Sequence, residues 1–282
     1  MARITDIMAR GADPLAPEAT LSGTFSGVGF GMAAALGVGL GRTTGAEPWI
    51  AGALALALLG FWAAPRAMAL RAGGAAALAG WRDTWAGRET AAGLAALGVF
   101  LVHLLLWLGL GERLWPLGLA VAGLALLALH AQASLYATRA DVACWSQAPT
   151  VLMVLVLAAA GGMLGLSAVE GLLGFPPSLV VWKAAISLIA AGLTAQLWSF
   201  KAAEVRREDA APLLDAPFFG RGRAQAGRLR WAALVLGVVA PLICAMLADA
   251  TTERVLMPLA FALHLAGALA FRWLFLAEAQ RA

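Results

Sequence analysis

Eight stretches of roughly twenty apolar residues, separated by short polar breaks, constrain this chain more than any other feature of its sequence. They run over 21–41, 49–70, 91–110, 115–137, 150–172, 179–200, 230–248 and 255–276. Each is close to the ~20 apolar residues that a helix needs to cross a bilayer core. Composition agrees: 62% of the 282 residues are hydrophobic and only 13% charged, with a mean hydropathy of +0.83. That balance excludes an ordinary soluble domain. The expected fold class is an all-α integral membrane protein, one eight-transmembrane-helix bundle over 1–282. Turn chemistry marks the breaks at 43–48, at Gly111-Glu112-Arg113, at Phe175-Pro176-Pro177-Ser178 and at 249–253.

The basic residues give the orientation. Sixteen of the 20 Lys and Arg fall on the side of the N-terminus, here called end A, and three, Arg42, Arg113 and Arg254, on the opposite end B. The twentieth, Lys183, lies inside the sixth run, near its end-B limit, where it can snorkel outward. Basic loops stay in the cytoplasm, so end A, and with eight spans both termini, is expected to be cytoplasmic. The net charge of +4 therefore reads as topology, and no nucleic-acid partner is implied. The first twenty residues carry Arg3, Asp6, Arg10, Asp13 and Glu18, which is no cleavable signal, so the first span is expected to stay in place. Cys144 and Cys244 lie in separate segments without CxxC spacing and imply neither a metal site nor a disulfide. Gly23, Gly27 and Gly31, like Gly161 and Gly165, have the four-residue spacing that lets helices approach closely.

Candidate chemistry gathers at end A. Trp81-Arg82-Asp83-Thr84-Trp85-Ala86-Gly87-Arg88-Glu89-Thr90 is the densest cluster of charge and aromatic rings in the chain. Read as one helix, it puts Trp81, Trp85 and Arg88 on one stripe, with Arg82 and Glu89 on a neighbouring one. The indoles read equally well as an interfacial belt. An ionisable pair at the mouth of a membrane helix is a functional candidate. Tyr136, the only tyrosine, closes the fourth run with Arg139 and Trp145 just beyond, and Arg272 and Trp273 close the eighth. Guanidinium, phenol, indole and carboxylate at one membrane surface suit a quinone head group, whose ring packs on aromatics and whose reduction moves two protons. The 201–229 loop reads as a docking surface, with a loose linker as the alternative. His103 and His264 come to similar depth and could pair on a haem. Each stands alone on its helix, however, and a solitary membrane histidine more often bonds a neighbouring helix. No haem and no metal site are expected.

These stretches resemble the membrane anchor subunits of dimethyl sulfoxide reductase-type molybdenum enzymes. Trp81-Arg82 through Trp85 to Arg88-Glu89 is similar to that family's Trp-Arg…Trp-Leu-Ser-Arg-Glu stretch. Tyr136, Arg139 and Trp145 are similar to its Tyr…Arg…Trp stretch, and Arg272-Trp273-Leu274-Phe275 with Glu278-Ala279 to its final-helix signature. The resemblance implies a complex in the bacterial inner membrane with a molybdopterin catalytic subunit and an iron–sulfur subunit. The anchor then exchanges electrons with ubiquinone or menaquinone. It gives Glu89 the role of proton-handling acid and places Trp85, Arg88, Tyr136, Arg139, Trp145 and Arg272 around the quinone. One departure stands out: many relatives carry a histidine ahead of the Arg-Glu pair, and the corresponding region here, near Ala64-Pro65-Arg66, has none. A cytoplasmic end A is similar to the sulfite-oxidising branch rather than to the S- and N-oxide reductases, whose catalytic subunits are exported.

Two rival readings remain at this level. A passive anchor would bind no quinone and tolerate replacement of Glu89. A transporter would gather polar groups at the midplane on broken helices, whereas here they gather at one surface.

Overall fold

The computed structural model describes residues 17–40, 45–73, 83–111, 113–139, 145–146, 149–175, 189, 192, 222–249 and 251–279. Among the described residues helix is dominant and no strand occurs. The helices are α1 (Pro17–Val38), α2 (Glu47–Gly73), α3 (Trp85–Leu110), α4 (Trp115–Ala137), α5 (Pro149–Leu172), α6 (Gly222–Leu234), α7 (Ala240–Leu247) and α8 (Glu253–Ala279). A π-turn over Val235–Val239 joins α6 to α7, and the two count as one crossing. Among the described residues, seven helices are long and apolar enough to span a membrane. The protein is a multi-pass helical membrane protein. Of the expected sixth span, 179–200, only Ile189 and Gly192 fall within the described residues.

Local chemistry explains the helix limits. Thr84 is extended (φ −130°, ψ 145°), and its hydroxyl accepts from the Gly87 amide at 3.0 Å, capping α3. Trp85 is therefore the first residue of α3, six residues ahead of the expected start at 91. The extended Thr84 also breaks the single helix expected across Trp81 to Thr90, and Trp81 and Arg82 lie outside the described residues. Gly111 ends α3 in the left-handed region (φ 70°), where a glycine meets no steric penalty. The expected 201–229 loop is shorter than its sequence suggests. Residues 222–229 are already helical, as their run of Ala, Arg, Gln and Leu favours, and 201–221 lie outside the described residues.

α5 is the central helix. Every residue from Ala160 to Gly171 is buried, so it is apolar on all sides instead of along one stripe. α1 packs against it, and α2, α4 and α8 pack against α1. Small residues set the spacing: a Cβ at Gly31 would overlap the Ala158 carbonyl, and one at Gly162 would overlap the backbone of Gly31. Gly37 and Gly118 bring α1 and α4 together in the same way. Gly31 thus does the packing its spacing suggests, a Cβ at Gly27 would meet only an ordinary contact with Ala158, and Gly23 makes room for a side chain, described below.

Contacts also align the helix ends. At end B, Arg113 Nη2 donates to the Leu36 and Gly37 carbonyls (3.0 and 2.8 Å), closing the C-terminus of α1 with a cation. Gly171, at the end of α5, lies against Glu253, at the start of α8. At end A, Trp145, just ahead of α5, lies in one apolar cluster with Leu229 and Ala233 of α6 and with Phe275 of α8.

Candidate functional site

Three groups of side chains form within about two turns of end A. The first surrounds Glu89, in the second turn of α3. Its carboxylate is buried and accepts from Trp62 Nε1 at 2.6 Å and from Arg66 Nη2, which lies 2.6 Å from both oxygens. Arg66 also donates Nη1 to the Trp62 carbonyl (2.9 Å), and its guanidinium lies 4.5 Å from the Trp62 ring centroid. Gly93, one turn along α3, leaves the space the Trp62 ring occupies. Both carboxylate oxygens accept from donors only, and the N-terminus of α3 adds a favourable dipole. Among the described residues, the hydrogen-bond partners of Glu89 are Trp62 and Arg66.

The second group is Trp85, Arg88 and His130. The Arg88 guanidinium lies 4.7 Å from the Trp85 ring, and Trp85 meets His130 of α4 edge-on at 5.9 Å. Arg88 and His130 are exposed on the flank of the bundle.

The third group joins α4, α8 and the residues ahead of α5. Arg272 is buried, donates to the Tyr136 hydroxyl at 2.6 Å, and has its guanidinium 4.5 Å from that ring's centroid. Tyr136 packs edge-on against Trp145 (4.9 Å) and Phe275 (5.3 Å), which stack on each other at 5.4 Å. Trp145 is pinned by its indole N–H on the Phe275 carbonyl (2.8 Å). Exposed Arg139 reaches 6.0 Å from the Trp145 ring. Tyr136, Trp145 and Arg272, 136 residues apart at the extremes, are thus assembled as the sequence suggests.

Beside this third group lies a small, partly open cleft of about 50 Å3, lined by Gly23, Thr24, Gln132, Leu157, Phe271 and Arg272 among others. A Cβ at Gly23 would touch the Arg272 guanidinium at 2.7 Å, so glycine at this position is what lets the cation reach the cleft. Gln132 is held by donating to Ser26 Oγ (3.3 Å), which in turn donates to the Gly23 carbonyl (3.2 Å). Arg272 Nε and Thr24 Oγ1 are buried without a hydrogen-bond partner among the described residues. Unmet donors in a buried setting cost free energy until something accepts from them. The Arg272 guanidinium and the Thr24 hydroxyl thus lie behind the apolar lining of the cleft, and a flat ring bearing carbonyl or phenolic oxygens would have to widen it to reach them. Glu89 is not among its lining residues.

Of the seven residues picked out from sequence, Arg272 lines the cleft, Tyr136, Trp145 and Arg139 gather beside it, Trp85 and Arg88 lie next to His130 of α4, and Glu89 stands with Trp62 and Arg66. Thr24 and Gly23 were missed as cleft residues, and Arg66 was read only as a loop charge. Among the described residues no group of three or more His, Cys, Asp or Glu is placed to hold a metal ion. His264 bonds two other helices, with Nδ1 2.7 Å from the Gly237 carbonyl and Nε2 3.3 Å from that of Leu157. His103 is buried, tilted against Trp107 at 5.7 Å, and both its ring nitrogens lack a hydrogen-bond partner among the described residues. Comparisons with protein-family models, with curated proteins and with solved structures find no match to this chain.

Proposed function

We propose that this chain is the quinone-reactive anchor subunit of a three-subunit molybdopterin and iron–sulfur oxidoreductase. In this reading an iron–sulfur partner docks on end A and passes two electrons to a quinone in the cleft, which takes up two protons and leaves as quinol. The complex oxidises sulfite, and end A faces the cytoplasm of a bacterial-type cell. The observation that carries the reading is the cleft, lined by Arg272 and Thr24, whose buried Nε and Oγ1 lack hydrogen-bond partners among the described residues. Arg272 would bind one quinone oxygen, and Tyr136, already bonded to Arg272, would sit within one hydrogen bond of the proton transfer. The resemblance of the three end-A stretches to the anchor family supplies the partners and the electron source. Ubiquinone and menaquinone both meet the chemistry of the cleft. The same cleft would serve a reductase of S- or N-oxides that runs the electrons the other way.

The connectivity supports an eighth crossing. α5 ends beside Glu253 at end B, whereas Leu229 and Ala233 of α6 lie with Trp145 at end A. An apolar run at 179–200 between these two ends is consistent with that crossing.

The test is quinone binding by the purified chain in lipid nanodiscs. A short-chain quinone should bind the unaltered protein, and Arg272→Leu should weaken that binding by about tenfold or more, as expected from losing a charge-assisted bond. Equal affinity in both proteins would remove the quinone from this cleft. One observation favours the passive-anchor reading: the Glu89 carboxylate is already engaged by Arg66 and Trp62. Glu89→Gln decides between the two. Loss of quinone-coupled turnover with mediator-coupled turnover intact supports proton handling by Glu89; normal quinone-coupled turnover favours the passive anchor; parallel loss of both makes it a structural residue.

A further inference from the structure

The π-turn between α6 and α7 has a local cause. In an α-helix the Gly237 carbonyl would accept from the amide of residue 241, but residue 241 is proline and has no N–H. The Ala240 amide bonds back five residues to Val235, the widened spacing of a π-turn. The Gly237 carbonyl is thus left without its α-helical donor. His264 Nδ1 lies 2.7 Å from it, from the facing helix α8. The approach is close because Gly267, three residues on, lies directly against Gly237; a Cβ at Gly267 would overlap that backbone.

His264 stands one turn from Ala268 and two turns from Arg272 on the same face of α8, and both of those line the cleft. Its Nε2 faces the carbonyl of Leu157, whose side chain also lines the cleft. The ring therefore sits behind the cleft wall, joining α8 to the π-turn on one side and to α5 on the other. A neutral imidazole has one N–H. The shorter contact, to a carbonyl that needs a donor, takes it.

We propose that His264 is a positioning residue for the cleft, held as the Nδ1–H tautomer by the carbonyl that Pro241 leaves open, and that this bond sets the placement of α8 from which Arg272 reaches the cleft. Pro241, Gly237 and His264 then act as one latch. The ligand class of the cleft rests on the quinone reading above; the latch itself does not. The charged and titratable groups on the elements around His264 are Glu253, Arg254, Arg272 and Glu278 on α8, Arg223, Arg228, Arg230 and Cys244 on the facing helix, and Glu170 on α5. Each is six or more residues along its helix from His264 or from the residue it touches, and among the described residues the partners of the ring are the Gly237 and Leu157 carbonyls.

Two measurements on the full chain in nanodiscs test this. The protein has only three histidines, so ring-nitrogen NMR of histidine-labelled protein resolves them, with His264→Leu identifying the ring in question. The expected spectrum shows His264 protonated at Nδ1 and bare at Nε2; protonation at Nε2 alone overturns the proposal. The second measurement is a cycle of His264→Leu, Pro241→Ala and the double variant, read by thermal midpoint and by affinity for a short-chain quinone. His264→Leu should lower both, with the affinity falling about fivefold or more, the effect of one lost buried bond. Pro241→Ala restores an amide at 241, so the double variant should recover most of both losses. Additive losses overturn the latch. If the unaltered protein binds no quinone, the quinone reading fails alone, while the spectrum and the thermal cycle still decide the latch.

Discussion

At the scale of single residues, the Arg66–Glu89 pair is the most exacting contact at end A. Both side chains are largely withdrawn from water, at 14% and 5% exposed. Removing one partner of a buried pair leaves the other charge uncompensated, at a cost of roughly 3–5 kcal/mol. Arg66→Met and Glu89→Leu are each expected to destabilise by about 3 kcal/mol, and the double variant by clearly less than their sum. Thermal or chemical unfolding in detergent checks this; additive losses would mean the pair contributes nothing as a pair. The glycines give a second prediction. Gly23→Ala pushes on the Arg272 guanidinium and is expected to weaken ligand binding in the cleft while the fold persists, because the displaced group is a side chain. Gly98→Ala, which meets nothing within 4 Å in α3, is expected to leave binding unchanged and to stabilise by up to about 1 kcal/mol. How much of the site could be read from sequence follows from these cases. Tyr136, Trp145 and Arg272 were legible together because each ends or follows an apolar run at one face of the membrane. The pairing of Arg66 with Glu89 was not. It depends on how α2 is rotated about its axis, and a helix apolar on most sides gives no stripe from which to read that rotation.

Elements carry the next set of consequences. Seven of the eight expected spans were legible from length and hydropathy, to within a few residues at most ends, because the bilayer requires long apolar helices; the sixth, 179–200, lies almost wholly outside the described residues. The start of α3 was missed because a polar first turn, capped by Thr84, lies outside the apolar run. Thr84→Ala should cost about 1 kcal/mol, the usual loss on removing such a cap, measured by thermal midpoint. The π-turn had a signal in Gly237, four residues before Pro241, but sequence alone could not say which group would fill the open carbonyl. Asp249, in the turn before α8, gives a pH prediction. Its carboxylate accepts from the amides of Thr251 and Thr252 (both 2.9 Å) and from both their hydroxyls. These bonds, from Thr251 first and then Thr252, hold its carboxyl well below the ordinary aspartate value of 3.8. A depressed folded value means that stability from this turn is fully present above pH ~4 and is lost as the pH falls below it. Asp249→Ala should lower the thermal midpoint at neutral pH and shrink that difference below pH ~3.5. A difference independent of pH down to 2 would show that the carboxylate does not act through these bonds.

For the whole molecule, the central question is how the described helices are threaded through the membrane. Tyr136 and Arg272 place the last residues of α4 and α8 together, and Gly23 places the first turns of α1 beside them. Gly37, Gly118 and Arg113 place the opposite ends of α1 and α4 together at end B. Residue 175 follows α5 at end B, and residue 222 opens a helix whose Leu229 and Ala233 lie at end A. If the expected eight spans hold, sixteen basic residues fall at end A against three at end B, and the positive-inside rule then predicts a cytoplasmic end A. Reporter fusions after Phe175 and after Gly222 are therefore expected on opposite sides, the first external and the second cytoplasmic. A fusion after Gly45 should match the first, and one after Ala282 the second. Reports from the same side at 175 and 222 would remove the eighth crossing, because an even number of passages between them returns the chain to the end it left. Opposite sides with the signs exchanged would keep eight crossings and reverse the orientation. The cleft would then open toward the exterior, and an exported catalytic partner, of the kind that reduces S- or N-oxides, would replace the sulfite-oxidising one.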